Sequence, residues 1–418
     1  MSKIINVKGR QVFDSRGNPT VEAEVYLENG VAASSICPSG ASTGTFEAYE
    51  LRDGDENTFL GRSVNKAVNN INFKISSSIK GLDVNEQKKI DEILLDLDGT
   101  KNKKNLGANA ILAVSLAVSK VAALSKNYPL YKNLGKEFSL PYPLMNIING
   151  GVHADNDLNI QEFMIRPDSS RSFTDAVEKC FLVIQNLKKI LKSKKMLTNV
   201  GDEGGFAPSI NSNEDALELI VDSIESSKLI PGKDVCICLD VAANELKNNE
   251  GNYSVQSKNF YSVDDTIKYY KKLVTGFPIK SIEDPFAEDD WKSWKKITAE
   301  LGSKVQIVGD DLFVTSSERL MKGIDEKAAN SILIKPNQIG SLTETLEVID
   351  LAKKNNFKTI ISHRSGDTED TFIADLSVAT QSSQIKTGSL ARSERVAKYN
   401  RLLRIEDELG NTVKMAKV

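Results

Sequence analysis

The chain has 418 residues, with 54 Lys and Arg against 57 Asp and Glu and 40% apolar residues, which predicts two or three domains around a sizeable core. With 26 Gly and 11 Pro it is neither collagenous nor low in complexity. The slightly acidic balance has no basic stretch and excludes nucleic acid as the primary partner, because gripping a phosphate backbone takes clustered Lys and Arg.

From residue 3 to about 37 apolar and polar residues alternate, with a turn at Glu28-Asn-Gly30, which predicts an antiparallel meander. Helical spacing follows over 64–79, over 85–97 with Asp83 as a cap, and in the Ala-rich segment after Gly107. That segment is the most apolar part of the chain. Asn109, Ser115, Ser119 and Lys120 interrupt it, so it falls short of the roughly 18 apolar residues of a membrane span and reads as a buried helix. Strands followed by helices predict a small α+β domain over residues 1–137. The boundary falls at about residue 138, just before Leu140-Pro-Tyr-Pro143, after which 144–148 reads as extended.

Beyond the boundary six apolar runs end in polar or charged residues: 196–200 before Glu203, 235–239 before Asp240, 278–282 before Glu283, 305–308 before Asp310, 331–334 before Lys335 and 359–362 before His363. Those end residues lie 25 to 43 positions apart, enough for a strand, a helix and two loops. This is the rhythm of a parallel α/β fold, and six units or more over 138–418 favour a closed barrel, which takes ~250 residues. All the strand ends of a barrel open on one face, so these side chains would meet in one mouth.

Asp240, Glu283 and Asp310 would repel one another there unless a cation stood between them. All-oxygen donors with no thiol or histidine pair nearby favour a hard ion such as Mg2+. Any one of them alone reads more simply as a helix cap. Lys335 ends an apolar run, where burial and a neighbouring cation disfavour its charge and make it a usable general base. Without the acids it would read as a surface lysine with a buried stem. Glu203, in Gly201-Asp-Glu-Gly-Gly205, is placed to donate a proton, although the same motif describes an acidic turn. Ser362-His-Arg-Ser365 and Lys386 read as an anion site: a guanidinium fork, a point charge and hydroxyls. A core histidine and a surface arginine are the plainer alternative. The hydroxyl-rich loop Pro38-Ser-Gly-Ala-Ser-Thr-Gly44 lacks the Gly-Lys-Ser/Thr ending of a P-loop and reads as a mobile cover for a site. His153 lies in a similar loop. Four cysteines, Cys37, Cys180, Cys236 and Cys238, make no disulfide framework and no Cys-x-x-Cys pair, and Cys236 and Cys238 read as packing residues on a strand. The N-terminal residues show no secretory signal, so a cytoplasmic protein is expected.

Together the motifs resemble the enolase family along nearly the whole chain. They include Asp14-Ser-Arg-Gly-Asn-Pro-Thr20, the loop at 38–44, Leu106-Gly-Ala-Asn-Ala-Ile-Leu112, Met145-Asn-Ile-Ile-Asn-Gly-Gly151 and Gln161-Glu-Phe-Met164. Further on come Val200-Gly-Asp-Glu-Gly-Gly205, Ser281-Ile-Glu-Asp-Pro-Phe286, Gly309-Asp-Asp-Leu312, Lys335-Pro-Asn-Gln-Ile-Gly340, Ser362-His-Arg-Ser-Gly366 and Ala391-Arg-Ser-Glu-Arg395. Leu390, Ala113 and Gln185 stand where members often have Pro, Gly and His. The resemblance implies a small N-terminal α+β domain on an eight-stranded β/α barrel of the TIM type, with the second barrel strand antiparallel. It implies reversible dehydration of 2-phosphoglycerate to phosphoenolpyruvate with two Mg2+ ions per site, in glycolysis and gluconeogenesis. By the same resemblance Lys335 is the base and Glu203 the acid. Asp240, Glu283 and Asp310 would hold one metal and Ser42 the second. His153, Gln161, Glu162, Ser362, His363, Arg364, Ser365 and Lys386 would surround the substrate. A homodimer or octamer is implied, as is a secondary cell-surface or secreted pool. Two rivals are weighed: another barrel lyase or racemase of the superfamily, which the 362–365 and 39–42 motifs count against, and a scaffold that keeps the fold without turnover, which the intact Glu203 and Lys335 pair counts against.

Overall fold

In the computed structural model, which describes residues 2–40, 44–256 and 258–418, the expected meander is three antiparallel strands, β1 (Ile4–Phe13), β2 (Pro19–Leu27) and β3 (Ala32–Ile36). Alternate residues of β2, Val21, Ala23, Val25 and Leu27, are buried, as a sheet with one covered face requires. The cover is the helix Ala108–Ser125, which packs on β2 and β3. It is long and apolar enough to cross a membrane, yet 83% of it is buried inside the fold, so its apolar character serves the core. The spacing over 64–79 forms one helical stretch with a π-helical middle, Asn70–Ile75. The helix expected over 85–97 runs Gln87–Asp98. Asp83 does not cap it and bonds the backbone N–H of Asn85 instead, closing the turn before the helix.

The rest of the chain forms a closed barrel of eight strands. In chain order they are β4 (Tyr142–Asn149), β5 (Glu162–Arg166), β6 (Cys236–Asp240), β7 (Ile279–Glu283), β8 (Gln306–Gly309), β9 (Ser331–Ile334), β10 (Lys358–Ser362) and β11 (Gln384–Lys386). β5 runs antiparallel to β4 and β6, and the other pairs are parallel. Serine caps start five of the outer helices: Ser172, Ser212, Ser262, Ser316 and Ser341 each accept from the backbone N–H three residues on, satisfying donors that the helix leaves unpaired. Cys236 and Cys238 are buried on β6, and all four cysteines are free.

One expected strand is absent. Residues 196–199 are irregular and Val200 makes only a single bridge, to Phe206. The run follows directly on the helix Phe173–Ser193, and Leu197 is 61% exposed. The barrel position beside β6 belongs to β5, so no ladder is left for the run to join.

Candidate active site

The reversal of β5 decides what the rim contains. Every parallel strand brings its C-terminal residue to the mouth, whereas β5 brings its first residue, Glu162, opposite Asp240 on one side and Asn149 on the other. Asp240, Glu283 and Lys386 end their own strands, and Asp310 and Lys335 follow directly on theirs. One cavity is lined by His153, Gln161, Glu162, Glu203, Asp240, Asp310, Lys335, Ser362, His363, Arg364, Ser365 and Lys386. Glu283 reaches it through Lys386. Ser42 lies outside the described residues. Glu203 arrives by a loop: Phe206 N–H donates to the Ile147 carbonyl at 2.9 Å and Asn149 N–H to the Phe206 carbonyl at 2.8 Å. Gly204 turns there with φ +85°, where a Cβ would come within 2.7 Å of the Ala391 carbonyl, so only glycine fits.

The acids divide between two ammonium groups. Lys386 Nζ donates to Asp240 and Glu283, both at 2.9 Å, and lies 3.4 Å from Glu162. Burial lowers this lysine, but Asp240, Glu162 and Glu283 more than reverse it and hold it well above its ordinary value. Lys335 Nζ lies 2.5 Å from Asp310, which also accepts from Gln338 at 2.9 Å. Against the downward push of burial, Asp310 keeps Lys335 above its ordinary value. The sequence-based expectation of a lysine with its charge disfavoured therefore does not describe this structure, because its carboxylate partner outweighs desolvation.

Other groups still carry unbalanced charge. Burial and then the charge of Asp240 push Glu283 well above the usual carboxylate range, and burial with Glu203 does the same to Glu162. Burial raises Glu203 as well, but the side chains that face it, His363, His153 and Arg395, more than reverse this and hold it well below the usual carboxylate range. His153 Nδ1 lies 3.7 Å from Glu162 and 4.0 Å from Glu203.

One neighbouring acid, Asp284, was not singled out from the sequence. Asp284 accepts the backbone N–H of Asp310 and of Asp311, both at 2.9 Å, and so fixes the turn that carries Asp310. Its φ of +41° breaks strand alternation after Glu283, which is how adjacent acids come to face the same region. Burial and the charge of Asp310 raise Asp311 to about 7. Asp284, Asp310 and Asp311 bring ligand atoms within 4.8 Å of one another, as do His153, Glu162 and Glu203. The site fits a hard cation: its donors are mainly buried carboxylate oxygens, and the group bridging Asp240 and Glu283 is itself a cation.

His363 has a defined tautomer. Arg395 Nη1 lies 2.5 Å from its Nδ1, and the same guanidinium donates to the carbonyls of Arg364 and Ser365 at 2.6 and 2.7 Å. Guanidinium only donates, so Nδ1 accepts and the neutral ring carries its proton on Nε2, which faces Glu203 Oε2 at 3.5 Å. Burial pushes His363 down to about 4. The unfolded chain takes up this proton near 6.5 and the folded chain only near 4, so this residue makes the folded state less stable as pH falls between those values. Long-range proton–nitrogen spectra of the two histidines, assigned with a His153→Gln variant, should show His363 as the Nε2–H form from about pH 5.5 to 8. An Nδ1–H or doubly protonated ring at neutral pH would contradict this geometry.

Comparison with known proteins adds the remaining observation. Residues 4–134 match the family model for the enolase N-terminal domain, and residues 137–417 match that for the enolase C-terminal TIM barrel domain. An enolase of Pelagibacter ubique (strain HTCC1062) is 60% identical over 420 residues, covering all of both chains. The chain belongs to the enolase family. It is accordingly a phosphopyruvate hydratase, catalysing the glycolytic dehydration of 2-phosphoglycerate. Family membership implies a metal cofactor, and the rim offers acidic groups that could hold one.

Proposed function

We propose that this site dehydrates 2-phosphoglycerate reversibly with Lys335 as base and Glu203 as acid, assisted by two Mg2+ ions. The observation that carries the reading is the meeting of Lys335, Glu203 and the acid-bound Lys386 around one cavity. Asp240, Glu283 and Asp310 would hold one ion, and Ser42, from the loop at 38–44, would serve the second. When bound, the ions supply positive charge against the substrate carboxylate, whose charge grows as the C2 proton leaves.

Lys335 takes that proton. The C2–H electron pair becomes the C2–C3 double bond, and the C3 hydroxyl departs as water with a proton from Glu203. Burial is the largest influence that lowers Lys335, the charges of Arg364 and Lys386 add to it, and all three would remain were Asp310 to turn to a cation. Glu162 stores a proton beside Glu203, with His153 between them to relay it. Arg364, with Ser362, His363 and Ser365, would receive the phosphate through its planar fork, Lys386 the carboxylate end, and Gln161 would support Glu162.

The domain division is proposed at 137/138 and the location as cytoplasmic, with a secondary surface or secreted pool. Self-association as a homodimer or octamer is supported by exposed Phe13, Phe59, Leu60 and Phe73, the first two in edge contact at 5.8 Å.

Chelation tests the metal directly. Dialysis against EDTA should stop phosphoenolpyruvate formation and leave the far-ultraviolet circular dichroism unchanged, and added Mg2+ should restore turnover. Full activity in EDTA would reject the ion.

A further inference from the structure

We infer that Glu47 is a positioning residue for Arg364, holding its guanidinium in register for the substrate phosphate. This rests on the reading of Arg364 as the phosphate ligand. Arg364 Nη1 and Nη2 donate to the two carboxylate oxygens of Glu47 at 2.9 and 3.1 Å, the paired geometry in which a guanidinium is most firmly oriented. Arg364 is buried and the Glu47 side chain is 10% exposed. Arg364 lines the catalytic cavity, whereas Glu47 lines a neighbouring one with Pro38, Gly40 and Asn337. The carboxylate thus grips the arginine from outside the catalytic cavity. Asn337 accepts from the same Nη1 at 3.0 Å.

Glu47 is itself firmly placed. Its Oε1 accepts from Gly44 N–H at 3.1 Å and from Gln338 Nε2 at 3.4 Å. On either side, Phe46 lies 4.0 Å from the Arg319 guanidinium and Ala48 N–H donates to the Gln338 carbonyl at 2.8 Å. A Cβ on Gly44 would meet Val314 at 2.8 Å, so this stretch of the N-terminal domain sits tightly on the barrel. The other anions acting on Arg364 are Asp310 and Asp311. Without Glu47 the guanidinium would be drawn toward them and away from the phosphate position, since a buried cation takes the nearest available partner.

The test uses the full chain, with inorganic phosphate as a competitive probe and Arg364→Gln in parallel. Glu47→Gln should raise both the KM for 2-phosphoglycerate and the phosphate inhibition constant about tenfold, with kcat within about threefold and the thermal midpoint within a few degrees. Glu47→Asp should recover most of the loss. If Arg364→Gln loses phosphate binding while Glu47→Gln keeps or tightens it, or if Glu47→Gln lowers kcat alone, the positioning role is overturned. If Arg364→Gln itself leaves phosphate binding intact, the reading of Arg364 fails, and this inference with it.

Discussion

Lys335→Ala is expected to abolish exchange of the C2 proton of 2-phosphoglycerate with deuterated solvent and to lower kcat by about 10⁴, the upper end of what a positioned base contributes. Lys335 Nζ stands in the cavity beside Asp310, and among the described residues no second amine takes its place: Lys386 is held by Asp240 and Glu283, which with Glu162 keep it well above its ordinary value against burial. Glu203→Gln should separate the two steps. Proton removal at C2 does not need Glu203, so exchange continues while phosphoenolpyruvate formation falls by roughly 10²–10⁴. Proton magnetic resonance of the substrate in deuterium oxide reads both rates. Exchange at the unmodified rate in Lys335→Ala would remove the lysine from the mechanism.

Lys386→Met should affect stability as well as turnover. Its ammonium is the common partner of Asp240, Glu283 and Glu162, and taking one member from a buried ionic cluster costs about 3–5 kcal/mol. Urea unfolding in EDTA at neutral pH should show a loss of that order. The pH dependence has a definite sign. Glu283 and Glu162 are already held well above the usual carboxylate range, and removing a cation raises them further, so the folded variant binds protons more readily than the unfolded chain. Its deficit therefore shrinks as pH falls from about 8 to 5. Added Mg2+ should recover part of the loss by replacing the missing charge. Turnover should fall by about 10³. A variant equally stable in EDTA at both ends of that range would show that Lys386 is not what balances the acids.

The barrel strands were legible where burial on both faces makes an apolar run: 235–239, 278–282, 305–308, 331–334 and 359–362 all overlap observed strands. The same signal failed at 196–200, because apolar character shows that a segment can be buried and not that a neighbouring ladder is open to it. It also could not give the direction of β5, which was expected from resemblance alone. The alternation in 3–37 and the Ala-rich run after Gly107 translated directly into sheet and covering helix. Glu47 went unnoticed because one acid after a hydroxyl-rich loop is indistinguishable in sequence from a solvated one. Only its fork contact with Arg364, 317 positions away, gives it a role.

The chain order of residues by itself determined which side chains end or follow five of the parallel strands, Asp240, Glu283, Asp310, Lys335 and His363, and so part of what the barrel mouth contains. Hydropathy and turn chemistry are local properties, readable within a few residues. The tertiary structure alone decided which of those groups neutralise each other. It set Lys386 on Asp240 and Glu283, Lys335 on Asp310, and Glu162 beside Glu203 and His153. Charge interactions depend on separation through space, and Lys386 and Asp240 stand 146 positions apart in the chain but 2.9 Å apart in the fold.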